Sequence, residues 1–308
     1  MKIEVLLTET EICQEFSEAL EARDLPEKFF YWSPLSVDAW LAVSRDVAYE
    51  SHLHSWNLLV GDIEKIAGRY ESAVAVVSLG AGDGGKDVLL LKALDKASLD
   101  VEYFPVDASQ ALLEVACAAA EDAEIDTLGM KADISSPMHL LLASDASEQP
   151  KLFLLTGSTL GGLDPLDQVR HIAHCMHEKD CLIVDAEIQD GSALPSRDNP
   201  PGRRFAFSPL ASLGLTREDG DVRFELKRDD RHEGLHLITR HFHAARDLNI
   251  AAPQREIMLQ RGERVSLNFN YTYSPDAFRW LLTTHGRLQI LEEVSSPDGR
   301  FMTALCSR

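Results

Sequence analysis

The spacing of apolar residues changes along the chain, near residue 70 and again near residue 190. Up to about residue 70, apolar side chains recur every three or four positions, as at Ile12, Phe16 and Leu20, and this is the period of an amphipathic helix. From Ala73 onward, short continuous apolar runs alternate with helical segments. We therefore predict a helical N-terminal cap over residues 1–70, followed by an α/β domain.

The continuous apolar runs after residue 73 predict buried parallel strands. Each run is followed by a helical segment, and this repeated alternation is typical of a doubly wound parallel sheet with helices on both faces. The predicted strands are 73–79, 101–106, 151–155 and 181–185, and the predicted helices pass through 88–91, 111–120 and 169–176.

The alternation of strand and helix ends near residue 190. Residues 191–265 are rich in proline at first and then contain short apolar runs with polar flanks, which predict antiparallel strands within an inserted α+β domain. The chain then returns to the first fold, so that residues 71–190 and 266–308 form one domain. The predicted elements of these two parts are strands at 222–226, 235–238, 256–259 and 265–273, a helix at 275–284, and a closing pair of strands at 288–294 and 301–306.

Composition and charge exclude several classes of protein. The chain has 308 residues, of which 45% are hydrophobic and 26% charged, so it is globular rather than disordered, collagen-like or coiled-coil. The formal net charge is −20. Because such a surface repels phosphate backbones and anionic lipids, we expect neither nucleic acid nor a membrane as partner.

Targeting signals and cysteine usage indicate the compartment. The first residues lack the apolar core of a signal peptide, and no apolar run reaches the roughly 18 residues that span a bilayer. The five cysteines are scattered and form no Cys-x-x-Cys pair. Since this usage is typical of a reducing compartment, we predict a cytoplasmic protein.

A glycine-rich segment, Gly80 to Lys86, lies between the first predicted strand and the following helix. Its glycines at 80, 82 and 85 fit the pattern G-x-G-x-x-G. Glycines allow a tight turn and close approach of a ligand to the backbone, while the helix N-terminus offers free N–H groups. The segment could serve only as a turn, or it could bind a dinucleotide or S-adenosylmethionine (SAM).

Two carboxylates follow the next strands of the predicted sheet. Asp107 ends the second strand and is placed to bind ribose hydroxyls, and Asp133 follows a third apolar segment and is placed to accept a hydrogen bond from an adenine amine. Either could alone be a solvated loop residue. Together with the glycine loop they mark three successive strand ends, where ligands of such sheets bind.

The order of the elements favours SAM over a dinucleotide. A dehydrogenase with this loop normally begins near its N-terminus and continues into a second half-sheet. Here about 70 residues precede the loop, and a helix with an antiparallel hairpin closes the chain. That closing arrangement is typical of Rossmann-like methyltransferases.

Over most of its length the sequence resembles the histidine-specific, SAM-dependent methyltransferase family. The resemblance depends on several segments at matching spacing rather than on one motif. The segments are 30–32 with Leu35 and Ser36, 46–49, 79–86, 103–109, 153–162, 262–263 and 268–273.

The resemblance implies a class I, Rossmann-like methyltransferase sheet with residues 191–265 as the substrate-recognition domain. It also implies a set of cofactor-binding residues, within which a lysine pairs with the methionyl carboxylate of SAM. These residues are Tyr31, Gly80, Gly82, Lys86, Asp107, Asp133 and Ile134.

The sequence departs from the family at the positions that bind histidine. Gly162 stands where the family has an asparagine for the histidine carboxylate, and Asn268 and Asn270 stand where it has a glutamate and a serine or threonine for the amino group. His52 and Ser55 replace a threonine and a glutamate. Because loss of a carboxylate removes a charge-assisted hydrogen bond to an ammonium group, the resemblance does not extend to histidine as substrate.

Methyl transfer from a sulfonium is an in-line displacement, so the protein mainly aligns the reactants and excludes water. We predict that Tyr49, Gly162, Asn268 and Asn270 bind the substrate and that His52 is the candidate base. The predicted function is SAM-dependent methylation of a small amino acid or amine, at nitrogen. The alternatives are methylation of another nucleophile, such as a hydroxyl, or a SAM-binding protein without catalysis.

No metal site is predicted. His171, His174 and His177 recur every third residue. Successive members of such a series drift by about 60° around a helix, so the three cannot easily converge on one ion. We therefore predict a solvated helix face.

Overall fold

The computed structural model of the protein describes residues 1–45, 47–189, 191 and 198–308. Its strands are β1 (Ile3–Val5), β2 (Asp24–Leu25), β3 (Ala73–Leu79), β4 (Asp100–Asp107), β5 (Asp126–Thr127), β6 (Gly129–Lys131), β7 (Lys151–Leu155), β8 (Cys181–Glu187), β9 (Gly220–Arg228), β10 (Leu235–Ala244), β11 (Leu248–Ala251), β12 (Glu256–Leu259), β13 (Arg264–Tyr273), β14 (Gln289–Ser295) and β15 (Phe301–Ser307). Its α-helices are α1 (Glu9–Glu21), α2 (Pro34–Ser44), α3 (Val47–Val60), α4 (Ile63–Ala67), α5 (Gly85–Lys96), α6 (Gln110–Glu121), α7 (Pro137–Ser144), α8 (Pro165–Cys175), α9 (Pro200–Ala211) and α10 (Pro275–Trp280). Short 3₁₀ turns lie at Glu27–Phe30 and Thr159–Gly162, and a π-helical turn, Leu281–His285, follows α10.

The main sheet of the described residues has nine strands. Eight of them follow the order β1-β6-β4-β3-β7-β8-β15-β14, and β5 pairs with β4 beside this path. The strands from β1 to β8 in this order are parallel, whereas β15 lies antiparallel between β8 and β14. The parallel sheet and its closing antiparallel hairpin are confirmed, and the arrangement is Rossmann-like.

The continuous apolar runs arise because both faces of the sheet are covered. Along β3, Val74 and Val76 pack into one core cluster with Leu90 of α5. The alternate residues of the same strand, Ala75 and Val77, pack into a second cluster on the opposite face. Burial on both faces removes the polar alternation of an ordinary strand and fixes the carboxyl ends of β3, β4 and β7 side by side.

A smaller sheet of four strands has the order β2-β13-β10-β9. The prediction that strand 265–273 returns to the main sheet is wrong, because β13 pairs with β10 and β2 in the smaller sheet. Among the described residues, an isolated bridge joins its last residue, Tyr273, to Ile188, which follows β8. At the start of β13 Val265 packs into the core of the smaller sheet, and at its end Tyr273 packs into that of the main sheet. The division of the chain into domains stays a prediction.

The N-terminal segment is helical through α1 to α4, but it also contains two strands that were not predicted. β1 extends the main sheet beside β6, and β2 pairs with β13 in the smaller sheet. Strands of two or three residues are too short to show alternation in the sequence. Among the described helices, none combines the length and apolar character that a bilayer crossing requires.

Candidate functional site

A cavity of about 530 Å³ opens at the carboxyl ends of β3, β4, β6 and β7. One wall is formed by the sheet and contains the glycine loop together with the residues that follow β4 and β6. The opposite wall comes from the N-terminal segment and includes Glu27, Lys28, Tyr31 and Trp40, and Asn268 of β13 lies at the edge. Ligands of open α/β sheets bind at this edge of the sheet. We call this cavity the main cavity.

The glycine loop adopts a backbone conformation that other residues rarely tolerate. Gly80, Gly82 and Gly84 have φ values of +73°, +59° and +70°. A Cβ atom at Gly80 would lie 2.9 Å from the Thr159 Cγ2 atom, and one at Gly84 would lie 2.9 Å from the Ala116 Cα atom. The loop therefore requires glycine both for its turn and for close packing, and it leaves backbone facing the main cavity.

Asp107 connects the loop to the end of β4. Its carboxylate accepts hydrogen bonds from the backbone N–H groups of Gly82, at 3.0 Å, and Ser109, at 2.9 Å. The side chain is buried yet lines the main cavity. Burial raises the pKa of Asp107 to about 6, against the opposing effect of these backbone hydrogen bonds.

The raised pKa of Asp107 predicts a pH-dependent cofactor affinity. The ionised carboxylate accepts hydrogen bonds from two ribose hydroxyls more strongly than the protonated acid does, and Asp107 gains a proton as the pH falls through about 6. We expect the dissociation constant of S-adenosylhomocysteine, measured by calorimetry, to stay level above this pH and to rise by up to roughly tenfold per pH unit below it. The variant Asp107→Asn, which cannot ionise, should show no such inflection, and an inflection that persists in it would contradict the assignment.

Lys86 and Ile134 lie on either side of the glycine loop. Lys86 is the second residue of α5 and lines the main cavity, where its ammonium adds to the positive end of the helix dipole. Ile134 lies against the loop, since a Cβ atom at Gly80 would be 3.5 Å from its Cδ1 atom. Lys86 at the start of a helix is suited to binding a carboxylate, and the Ile134 side chain is suited to packing against an apolar ring face.

Asp133 also lines the main cavity but is held in an ion pair. Its Oδ2 atom lies 2.6 Å from the Nζ atom of Lys28, and its Oδ1 atom accepts hydrogen bonds from the N–H and hydroxyl groups of Ser135. Burial is the largest single influence and raises the pKa of Asp133, but the Lys28 ammonium and the hydrogen bonds from Ser135 together outweigh it, and the net pKa is lowered. The carboxylate is therefore ionised at neutral pH. Its predicted role as acceptor from adenine stays a prediction.

Asn268 is a buried polar residue with no hydrogen-bond partner for its side chain among the described residues. Both the Oδ1 and Nδ2 atoms lack a partner, and the residue is only 2% exposed. Its φ is +59°, and it lies in a β-bulge where Thr239 faces Phe269 but His241 faces Ser266. Bulges and unsatisfied buried amides are frequent at functional positions, and Asn268 lines the main cavity. Its predicted role in substrate binding stays a prediction.

A second cavity of about 80 Å³ adjoins the main cavity and shares Glu27, Tyr31, Trp40 and Gly157 with it. Its remaining lining residues combine three phenylalanine rings with polar and charged side chains. They include Phe205, Phe224 and Phe301, together with Ser158, Glu187, Asn199, Arg240, Asn270 and Arg300. The cavity lies beyond the ends of β7 and β8 and is suited to a small molecule.

Hydrogen bonds hold several of the residues that line the second cavity in place. Gly157 and Ser158 donate backbone hydrogen bonds to the two oxygens of Asp185, each at 2.8 Å, and Ser158 has a φ of +61°. Asn270 donates a hydrogen bond to the backbone oxygen of Tyr271 at 3.1 Å. Asn268 and Asn270 thus belong to different cavities, although we predicted both as substrate-binding residues.

Gly162 lies directly beneath Glu27. A Cβ atom at Gly162 would lie 2.6 Å from the Glu27 Cδ atom, closer than any real contact. Glu27 also accepts a hydrogen bond from the hydroxyl of Tyr31, at 2.6 Å. Gly162 therefore contributes space rather than a polar group, and a glutamate from the N-terminal segment fills that space.

Two predicted substrate residues lie outside the part of the chain that can be described. The side chains of Tyr49 and His52 on α3 are not among the described residues, and neither is Asp46. Ser55 of the same helix is buried and accepts a hydrogen bond from the hydroxyl of Thr303 at 3.0 Å. Tyr49 and His52 stay predictions.

Metal binding receives no support from the described residues. Within residues 1–45, 47–189, 191 and 198–308, no group of three or more histidine, cysteine, aspartate or glutamate side chains is arranged to hold an ion. His171 and His174 lie on α8, and His177 follows its end.

Comparison with known proteins identifies the cofactor of the protein. A family model described as histidine-specific, SAM-dependent methyltransferases matches residues 9–194. The chain belongs to this family. It is a SAM-dependent methyltransferase, and the main cavity offers groups of the kind that SAM requires, because the glycine loop, the Asp107 carboxylate and the Lys86 side chain all line it. Their contacts with SAM stay predictions.

Solved methyltransferase structures resemble the chain at low identity. A SAM-dependent methyltransferase from Clostridium acetobutylicum is 13% identical, with 88% of this chain and 95% of that chain covered and a TM-score of 0.44. An amino pentose methyltransferase from Micromonospora echinaspora is 12% identical, with 85% and 95% covered and a TM-score of 0.39. No curated protein sequence matches the chain.

The N-terminal wall of the main cavity was missed by the sequence reasoning. Glu27, Lys28 and Trp40 line it together with Tyr31, and of these four residues the sequence predicts only Tyr31 as a site residue. One signal was present, since Glu27 and Tyr31 are four residues apart, a spacing at which side chains pair on a helical turn. Pairing of Lys28 with Asp133 connects residues far apart in the sequence and leaves no local pattern.

Proposed function

We propose that the protein transfers the methyl group of SAM to the nitrogen of a small amino acid or amine. The observation that carries this proposal is the Asn268 amide, which is buried and unpartnered among the described residues and belongs to a residue that lines the main cavity. A polar group of this kind is destabilising until a ligand binds it. The small second cavity supports a small-molecule acceptor, and the net charge of −20 disfavours nucleic acid.

In this proposal the protein acts mainly by position. When bound, SAM would supply a methyl group on a positively charged sulfur, and the acceptor nitrogen would take that group after its ammonium form has lost a proton to solvent. Asp107 and Lys86, which both line the main cavity, would hold the two ends of the cofactor. The rings of Tyr31, Trp40 and Phe205 limit the access of water to the entrance to the second cavity.

The proposal is tested by a panel of nucleophiles incubated with SAM. We expect release of S-adenosylhomocysteine to depend on added amines or amino acids, with a product heavier by one methyl group in mass spectrometry. Matched alcohols should give no release above the rate without acceptor. Release with the alcohols only, or with none of the panel, would refute the proposal.

A further inference from the structure

We infer that Glu27 is the residue that recognises the acceptor, by binding its positively charged nitrogen at the boundary of the two cavities. The inference rests on the proposed function and adds a specificity-determining residue to it. Glu27 lines both the main cavity and the second cavity, so a ligand in either lies near its carboxylate.

The first observation is that the fold makes room for this carboxylate. The Oε1 and Oε2 atoms of Glu27 lie 2.8 and 2.9 Å from the position of a Cβ atom at Gly162. Any side chain at 162 would therefore displace the carboxylate. The Glu27 carboxylate, from the N-terminal segment, therefore lies over the 3₁₀ turn that follows β7, and it can do so because residue 162 of that turn is glycine.

The second observation is the aromatic setting of the carboxylate. Tyr31, which donates a hydrogen bond to Glu27 at 2.6 Å, lies edge-on to Trp40, with ring centroids 6.3 Å apart, and packs against Phe205 at 5.4 Å. Aromatic faces attract organic cations, and an environment with little water strengthens a charge-assisted hydrogen bond. A carboxylate among such rings favours an organic ammonium group over a neutral alcohol of the same shape.

The third observation concerns the opposite side of the site. The polar residues that β13 contributes to the two cavities, Asn268 and Asn270, are neutral amides, which can orient a ligand but cannot compensate a positive charge. Among the described residues, Glu187, at the end of β8, is the other carboxylate that lines the second cavity, together with the arginines Arg240 and Arg300. Arg240 lies over the Phe224 ring of the smaller sheet. Of the two carboxylates, Glu27 alone also borders the main cavity, where the methyl group is delivered.

The test uses two matched ligand pairs and one charge-removing variant. Calorimetry in the presence of S-adenosylhomocysteine compares tyramine with tyrosol, and n-butylamine with n-butanol. We expect each amine to bind the unaltered protein more tightly than its alcohol, and Glu27→Gln to weaken amine binding by roughly 10- to 100-fold, the range of a lost charge-assisted hydrogen bond. Alcohol binding should stay within about threefold of the original value, and Glu27→Asp should recover part of the loss.

Gly162→Ala provides an independent variant, because it displaces the carboxylate without removing it. We expect the same selective loss of amine binding. If Glu27→Gln weakens amine and alcohol equally, or if the amines bind the unaltered protein no better than the alcohols, the inference is wrong. If Glu27→Gln instead weakens SAM itself while the preference for amines remains, Glu27 serves the cofactor and the inference is again wrong, although the proposed function stands.

Discussion

Replacement of Asp107 by alanine will weaken SAM binding by roughly 100-fold. A carboxylate that accepts hydrogen bonds from two ribose hydroxyls provides two charge-assisted bonds, each worth about 1.5 kcal/mol or more. The side chain is buried at the end of β4 and lines the main cavity, so water cannot easily take its place. Calorimetric titration with SAM and with S-adenosylhomocysteine should show the same loss, because the two ligands share the ribose.

Asp87 provides a matched control for Asp107. It is a fully buried carboxylate on α5, just past the glycine loop, and it accepts a hydrogen bond from the hydroxyl of Tyr103 at 2.7 Å. Burial raises the pKa of Asp87 as it does that of Asp107, but Asp87 does not line the main cavity. Asp87→Asn should therefore leave the dissociation constant of SAM within about threefold of the original. An equal loss in both variants would indicate damage to the loop rather than a lost ribose contact.

Asn268→Gly will make the protein more stable and a poorer catalyst. The substitution removes a buried amide without partners among the described residues and places glycine at a φ of +59°, where it fits without strain. We expect the free energy of unfolding to rise by about 1 kcal/mol, after subtraction of the entropy that glycine costs. We expect kcat/KM for the acceptor to fall by roughly 100-fold, because the amide no longer positions it. Denaturant titration and the methyl-transfer assay measure the two effects.

Glu124→Gly is the control for Asn268→Gly, because it relieves backbone strain at a residue that lines neither cavity. Glu124 has a φ of +61° in the exposed loop after α6, so glycine relieves the same kind of strain far from both cavities. This variant should gain stability with no change in kcat/KM. If Asn268→Gly loses stability, or keeps its full activity, the Asn268 amide is a structural group and not part of the acceptor site.

The sheet wall of the main cavity, where we propose that SAM binds, is predictable from the sequence because its signals are local. The run 73–79 is apolar throughout since both faces of β3 are covered, and the glycine loop follows at once. Asp107 ends the next apolar run. Parallel strands bring their carboxyl ends together, so sequence position alone places these residues in one cavity.

The proposed acceptor site is not predictable in the same way because distant segments assemble it. Glu27, Gly162 and Asn270 come from the N-terminal segment, the turn after β7 and the smaller sheet, and no period in the sequence connects them. The smaller sheet was itself misassigned at β13, whose ends pack into two different cores. The family resemblance located Gly162 and Asn268 but could not show that a glutamate from elsewhere fills the space above Gly162.

A crystal structure with S-adenosylhomocysteine tests the central claim most directly. The arrangement described here predicts that the ligand lies in the main cavity, with both ribose hydroxyls within hydrogen-bond distance of Asp107 and the amino-acid carboxylate near Lys86. Its sulfur should face Asn268 and the entrance to the second cavity. A ligand bound with its ribose away from Asp107, or with its sulfur directed away from Asn268, would contradict the proposed site.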